Sequence, residues 1–241
     1  MNTVLLLARL DMGLPPDLQK RAMACLPPEK RGRIERFHRR EDTLRSLVGD
    51  IMARYALCRA AAGDASGGPP VIAPDRFGKP QVASPRGLHF NVAHAGGWVV
   101  CAVSERAVGV DVERIEAPLD LAVARRFFAR SEYEQLCQAD AADRLRLFYR
   151  FWTLKESYIK AIGAGMRLPL NSFAFSLDGE RIALRAGRFR GDYHFTSHYP
   201  DECHVVGLCR LGEGAVAVEY GGQNEIVAAY LDRYSDRNSL A

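Results

Sequence analysis

The chain has 241 residues and a formal net charge of +4, from 33 Lys and Arg against 29 Asp and Glu. Apolar residues make up 48% and charged residues 26%, ordinary globular usage that excludes a disordered, collagen-like or disulfide-built chain. The apolar runs fall short of the ~20 residues that span a bilayer, and Met1–Leu10 lacks the basic start of a signal peptide. The expectation is a soluble, cytoplasmic protein with no membrane partner.

At roughly 150 residues per domain, the length allows one large domain or two small ones. Val4–Ala8 predicts a buried strand, and Pro15-Pro16 and Pro27-Pro28 predict two short helix starts. From Glu41 to Gly63 a long helix is expected, because Leu44, Leu47, Val48, Ile51, Tyr55 and Cys58 share one face. Residues 63–70, rich in Gly, Ser and Pro, read as a loop. Strands are expected at Leu88–Val92, Trp98–Ser104 and Val108–Glu113. A helical stretch follows from Leu119 to Ile162, interrupted near Ser131 and Asp140. Strands return at 173–177, 181–186, 193–197, 204–208 and 215–218, and Asn224–Tyr234 reads as a last helix. Helices then strands, twice over, predict an α+β fold of two halves, 1–107 and 108–241.

Four segments carry residue types suited to chemistry. In Gly109-Val110-Asp111-Val112-Glu113 the alternation places Asp111 and Glu113 on one strand face, about 7 Å apart by strand rise. Two such carboxylates repel unless a cation lies between them, and Mg²⁺ prefers oxygen ligands; the alternative is a solvated strand face. Trp152, Glu156 and Lys160 share a helix face at i, i+4, i+8, where Glu156 and Lys160 are either a surface ion pair or part of a site. Residues 29–45 hold seven Lys or Arg against four Asp or Glu, with Lys30, Arg33, Arg36 and Arg40 able to line one helical side. That side is a solvated face, a phosphate site, or, less in keeping with its few aromatics, a nucleic-acid contact. His94 ends a strand before Gly96-Gly97, which leaves room for a ligand; the alternative is a structural histidine.

Two further clusters are weaker. Gly78-Lys79-Pro80 marks a turn of fixed shape. His194 and His198 lie about 13 Å apart at strand rise, too far for one zinc ion with ~2 Å bonds, and a plain hairpin turning at Pro200-Asp201-Glu202 is expected there instead. The six cysteines have no C-x-x-C spacing and read as reduced thiols.

In this order the blocks resemble the Sfp-type 4′-phosphopantetheinyl transferases. Those blocks are Pro28-Glu29-Lys30-Arg31 through Gly49-Asp50, Gly78-Lys79-Pro80, Phe90-Asn91-x-x-His94, Gly109–Glu113 and Trp152-x-x-Lys155-Glu156-Ser157-x-x-Lys160. The similarity continues through Gly165 and Leu168-Pro169-Leu170. The resemblance implies an intramolecular pseudo-dimer of two similar α+β halves with coenzyme A in the cleft between them. It also implies transfer of the 4′-phosphopantetheine arm of coenzyme A to a serine of an apo acyl or peptidyl carrier protein, releasing adenosine 3′,5′-bisphosphate. Carried over by position, Asp111, Glu113 and Glu156 would hold Mg²⁺. Lys30, Arg33, Ser46 and His94 would contact the 3′-phosphate, Gly78, Lys79 and Pro80 would border the adenine, and Lys160 would touch the pyrophosphate. Glu156 and Lys160 are the expected catalytic pair. Ala93 and Ala95 depart from the family's usual serines, which removes any hydroxyl contact from these two positions to a phosphate, while their backbone N–H groups can still serve. A pseudo-dimer that completes its own cleft is expected to work as a monomer, without nucleic acid. The rival enzyme reading is a metal-dependent phosphoesterase using the same three carboxylates.

Overall fold

The structure is a computed structural model and describes residues 3–11, 13–61, 68–76, 78–185 and 191–235. Most of the expected 63–70 loop lies outside the described residues. The elements run β1 (Thr3–Arg9), α1 (Pro16–Ala24), α2 (Pro28–Glu35), α3 (Arg40–Ala60), β2 (Val71–Pro74), β3 (Pro80–Ser84), β4 (His89–Ala95), β5 (Trp98–Ser104) and β6 (Val108–Arg114). They continue with α4 (Leu121–Phe127), α5 (Arg130–Gln138), α6 (Ala141–Ile162), β7 (Ala174–Asp178), β8 (Arg181–Arg185), β9 (Tyr193–Asp201), β10 (His204–Leu211), β11 (Val216–Gly222) and α7 (Gln223–Ser235). The α+β expectation holds, and nearly every element falls within a few residues of its predicted place. The short hairpin of β2 and β3 is additional.

Local chemistry explains the boundaries. Pro16 and Pro28 open α1 and α2, where a missing N–H costs nothing. The Asp120 carboxylate accepts from the Ala122 N–H at 2.8 Å to start α4. Gly163, at φ +67°, closes α6 in the left-handed conformation.

The chain divides into two compact units. One holds the residues up to Glu105 together with those from Val216 onward. Its sheet runs β11-β1-β5-β4, with β1 parallel to β11 and antiparallel to β5. Beneath it α3 and α7 bury an aliphatic core that includes Leu47, Ile51, Met52, Val99, Val227 and Leu231. The expected halves therefore need one correction: residues 216–235 belong with the first unit. All seven residues of β11 pair with β1, from Thr3↔Val216 to Arg9↔Gly222, and the apolar face of α7 enters the α3 core.

The other unit spans Arg106–Ala215, with the sheet β6-β10-β9 and a hairpin of β7 and β8. Its core is aromatic, built on Phe128, Phe148, Phe151, Tyr158, Phe173, Phe175 and Phe195. Helix α6 packs on β6 and β10. Two glycines let it come close. A Cβ at Gly207 would lie 2.5 Å from the Thr153 carbonyl oxygen, and one at Gly109 would run into the Ser157 carbonyl and the Ala161 nitrogen. Backbone thus rests on backbone where the helix crosses these strands.

Candidate active site

That close approach brings the acidic strand to the helix. On β6, Asp111 is buried and Glu113 half-buried; on α6, Glu156 and Lys160 are half-buried. Lys160 Nζ donates to Asp111 Oδ1 at 2.6 Å and to the Val110 carbonyl at 3.2 Å. The second oxygen, Asp111 Oδ2, is buried and has no hydrogen-bond partner among the described residues. Trp152, one turn before Glu156, stacks on Phe148, and its indole N–H favours the ionised form of Glu113. All four residues expected at the metal and catalytic positions are therefore brought together in one unit.

The electrostatics are those of negative charge in excess. Burial pushes the Asp111 carboxyl up, and Lys160 pulls it partly back. Glu113 is raised to about 7, first by burial, then by the Asp111 charge, with Glu156 adding to it. Burial and Asp111 likewise raise Glu156. Carboxylates that disfavour one another's ionisation, with a buried oxygen left unpartnered, form a donor set suited to a hard divalent cation. The side chains are not drawn together as a finished cage: among the described residues no group of three or more His, Cys, Asp or Glu is placed to hold a metal ion. One cation, Lys160, already occupies Asp111.

Lys155 points elsewhere, as its place about 100° round the helix from Glu156 requires. Its ammonium is fully buried and donates to the Leu170 and Phe173 carbonyls at 2.8 and 2.7 Å. It also pairs with Glu132 at 2.7 Å. Glu132 in turn accepts from the N–H groups of Ala129 and Phe175, both at 2.8 Å. Sequence reasoning missed Glu132. The signal available was a Glu three residues into a helix, the position from which it can reach back to the first free N–H.

The expected phosphate and adenine residues lie in the other unit. Lys30 on α2 pairs with Asp50 at 3.5 Å, and Asp50 also takes Arg54 at 2.7 Å. Arg33 and His94 are exposed and Ser46 is half-buried. Arg45, beside Ser46, donates to the Gly96 carbonyl at 3.1 Å and so ties α3 to the turn after His94. Gly78 has φ +83° in a turn closed by Asp75, which accepts from the Lys79 N–H at 2.9 Å. Burial lowers the Lys79 ammonium pKa, with Asp75 opposing. Asp50 and Arg45 are the members of this region whose roles the sequence did not reveal, since each acts through a partner in another element.

Two family models cover most of the chain. The 4′-phosphopantetheinyl transferase superfamily model matches residues 107–209, and the 4′-phosphopantetheinyl transferase N-terminal model matches residues 16–106. The 4′-phosphopantetheinyl transferase Sfp of Bacillus subtilis is 36% identical over 202 residues, covering 83% of this chain and 88% of that one. HetI of Nostoc, also a 4′-phosphopantetheinyl transferase, is 32% identical over 66% of this chain and 68% of its own. Among solved structures, the holo-[acyl-carrier-protein] synthase of Thermotoga maritima aligns with a TM-score of 0.38 at 21% identity, over 45% of this chain and 64% of that one. The chain belongs to the 4′-phosphopantetheinyl transferase superfamily and, within it, to the Sfp-type enzymes. No described helix is long and apolar enough to cross a membrane.

Proposed function

We propose that this transferase moves the 4′-phosphopantetheine arm of coenzyme A onto a serine of an apo acyl or peptidyl carrier protein. The serine Oγ attacks the β-phosphorus of the pyrophosphate, the bond to the bridging oxygen breaks, and adenosine 3′,5′-bisphosphate leaves. The observation that carries the reading is the Asp111, Glu113, Glu156 and Lys160 group at the α6–β6 contact, in a chain of this family.

Asp111, Glu113 and Glu156 are the residues that would hold Mg²⁺, which supplies charge neutralisation at the pyrophosphate when bound. The unpartnered Asp111 oxygen and the raised carboxyls support that fit. Glu156, whose pKa burial and Asp111 raise, is suited to take the serine proton. Lys160, one turn further on, is suited to steady the negative charge gathering on the leaving bisphosphate. In the other unit, Lys30, Arg33, Ser46 and His94 would bind the 3′-phosphate, and Gly78, Lys79 and Pro80 would border the adenine. A monomer working in the cytoplasm is the simplest setting for this chemistry.

The test is incubation of the protein with coenzyme A, Mg²⁺ and a panel of apo carrier proteins, read by intact mass. A phosphopantetheine adduct on at least one carrier, lost when Mg²⁺ is chelated, is expected; no adduct on any carrier overturns the reading. Replacing Lys30 and Arg33 by Ala should erase most of the preference for coenzyme A over its 3′-dephospho form, since charge-assisted contacts contribute about 1.5–3 kcal/mol each.

A further inference from the structure

Lys160 occupies a position that the transfer reaction alone does not explain. Its ammonium does not stand clear of the acidic group to await a phosphate. It reaches back to β6 and is seated on Asp111 Oδ1 at 2.6 Å and on the Val110 carbonyl. The carboxylate it neutralises is the most buried of the three. Its charge also opposes the raised pKa of all three carboxylates. The oxygen it leaves alone, Asp111 Oδ2, is the buried one without a good partner.

We propose that Lys160 is a tethered counter-ion of the acidic site, holding Asp111 when no divalent cation is bound and competing with that cation for the same carboxylate. The proposal rests on the reading of Asp111, Glu113 and Glu156 as the metal-holding residues. A cation entering the group meets one positive charge already there, so the two repel and share a single carboxylate. Mg²⁺ therefore binds the free enzyme weakly. An anionic pyrophosphate offers Lys160 another partner, frees Asp111 Oδ1 and makes metal binding tighter. Metal and coenzyme A are then coupled through one side chain, and neither need be held tightly alone.

The test uses the full chain, first without substrate and then with coenzyme A, and reads Mg²⁺ binding by titration calorimetry and by the rise in melting temperature, at matched ionic strength. Lys160→Met keeps most of the length of the side chain and removes its charge. It should melt below the wild type in chelator and bind Mg²⁺ about fivefold tighter or more, the size of an ordinary coupling between sites. Lys160→Arg, which keeps the charge, should bind Mg²⁺ as weakly as the wild type. Asp111→Asn should bind no Mg²⁺ in either measurement. If Lys160→Met binds Mg²⁺ equally or more weakly while Asp111→Asn abolishes binding, the metal reading stands and the counter-ion role is overturned. If no protein of the set binds Mg²⁺ with or without coenzyme A, the metal reading fails and takes the proposal with it.

Discussion

Two lysines five residues apart on α6 have opposite surroundings. Lys155 is sealed in the aromatic core, where Glu132 and two carbonyl groups take its three protons. Lys160 keeps 28% of its side chain exposed and meets an acidic group that it only partly neutralises. The first arrangement is complete, so nothing further can be added to it. The second has a buried oxygen over and carboxyls whose ionisation is disfavoured, so it still favours another cation. Completeness marks the structural pair and incompleteness the pair proposed for the active site.

The largest effect should come from breaking the complete side. Lys155→Met leaves the Glu132 carboxylate buried without its cation, which costs about 3–5 kcal/mol. At roughly 2–4 °C per kcal/mol for a chain of this size, calorimetry should show a fall of about 10 °C. Adding Glu132→Leu should recover only part of it. The Leu170 and Phe173 carbonyls and the Ala129 and Phe175 N–H groups would still lack partners. A melting temperature within a degree of wild type for the single variant would show that the buried pair is not what holds 168–175 to α6.

Lys160→Ala should do the reverse. Its melting temperature should move little beside that of Lys155→Met, while kcat at saturating coenzyme A should fall about 10²–10³-fold, the usual effect of losing a preorganised charge at a developing anion. Equal losses of turnover per folded molecule in the two variants would erase the distinction between the faces.

The incomplete side should also reveal itself in pH. Glu113 is raised from 4.5 to about 7, so the folded protein binds its proton more tightly than the unfolded chain does. Stability from this group is therefore full below pH 4.5 and is lost as pH rises through about 7. In chelator, the stability of Glu113→Gln relative to wild type should climb over that window, and saturating Mg²⁺ should flatten the difference. A difference independent of pH would mean that Glu113 is not held in excess negative charge. The smallest effect is reserved for Trp152→Phe. It keeps an aromatic ring but removes the indole donor that favours ionised Glu113, so the Glu113 pKa, followed by carboxyl carbon NMR, should rise by a few tenths.

Much of this contrast can be read from spacing. Alternation on β6 placed Asp111 and Glu113 on one face, and helical periodicity placed Glu156 with Lys160 and turned Lys155 away. These are local rules, set by strand and helix geometry within a few residues. Partners far apart in the chain were not legible. Glu132 lies 23 residues before Lys155, and no periodicity ties an acid on α5 to a lysine on α6. The return of β11 to β1 was missed for the same reason. Its strand was recognised from its residues, but the pairing joins Val216 to Thr3, and the choice of neighbour depends on the packing of α7. The pairing of Lys30 with Asp50 escaped similarly, although both residues lie in recognised blocks.

Gly109 and Gly207 give the meeting of α6 with its strands a particular mechanical character. A helix lying on side chains can settle by fractions of an ångström as those chains change rotamer. A helix seated on peptide groups has no such cushion, and it stops where the backbone atoms touch. The spacing of the α6 and β6 backbones is thus set by direct contact, and in enzyme reactions a misplacement of about 1 Å can cost 100-fold in rate. A hard stop also narrows what evolution can adjust. The seat beneath the acidic group has no slack to give, so a side chain added at either glycine has to push the helix away.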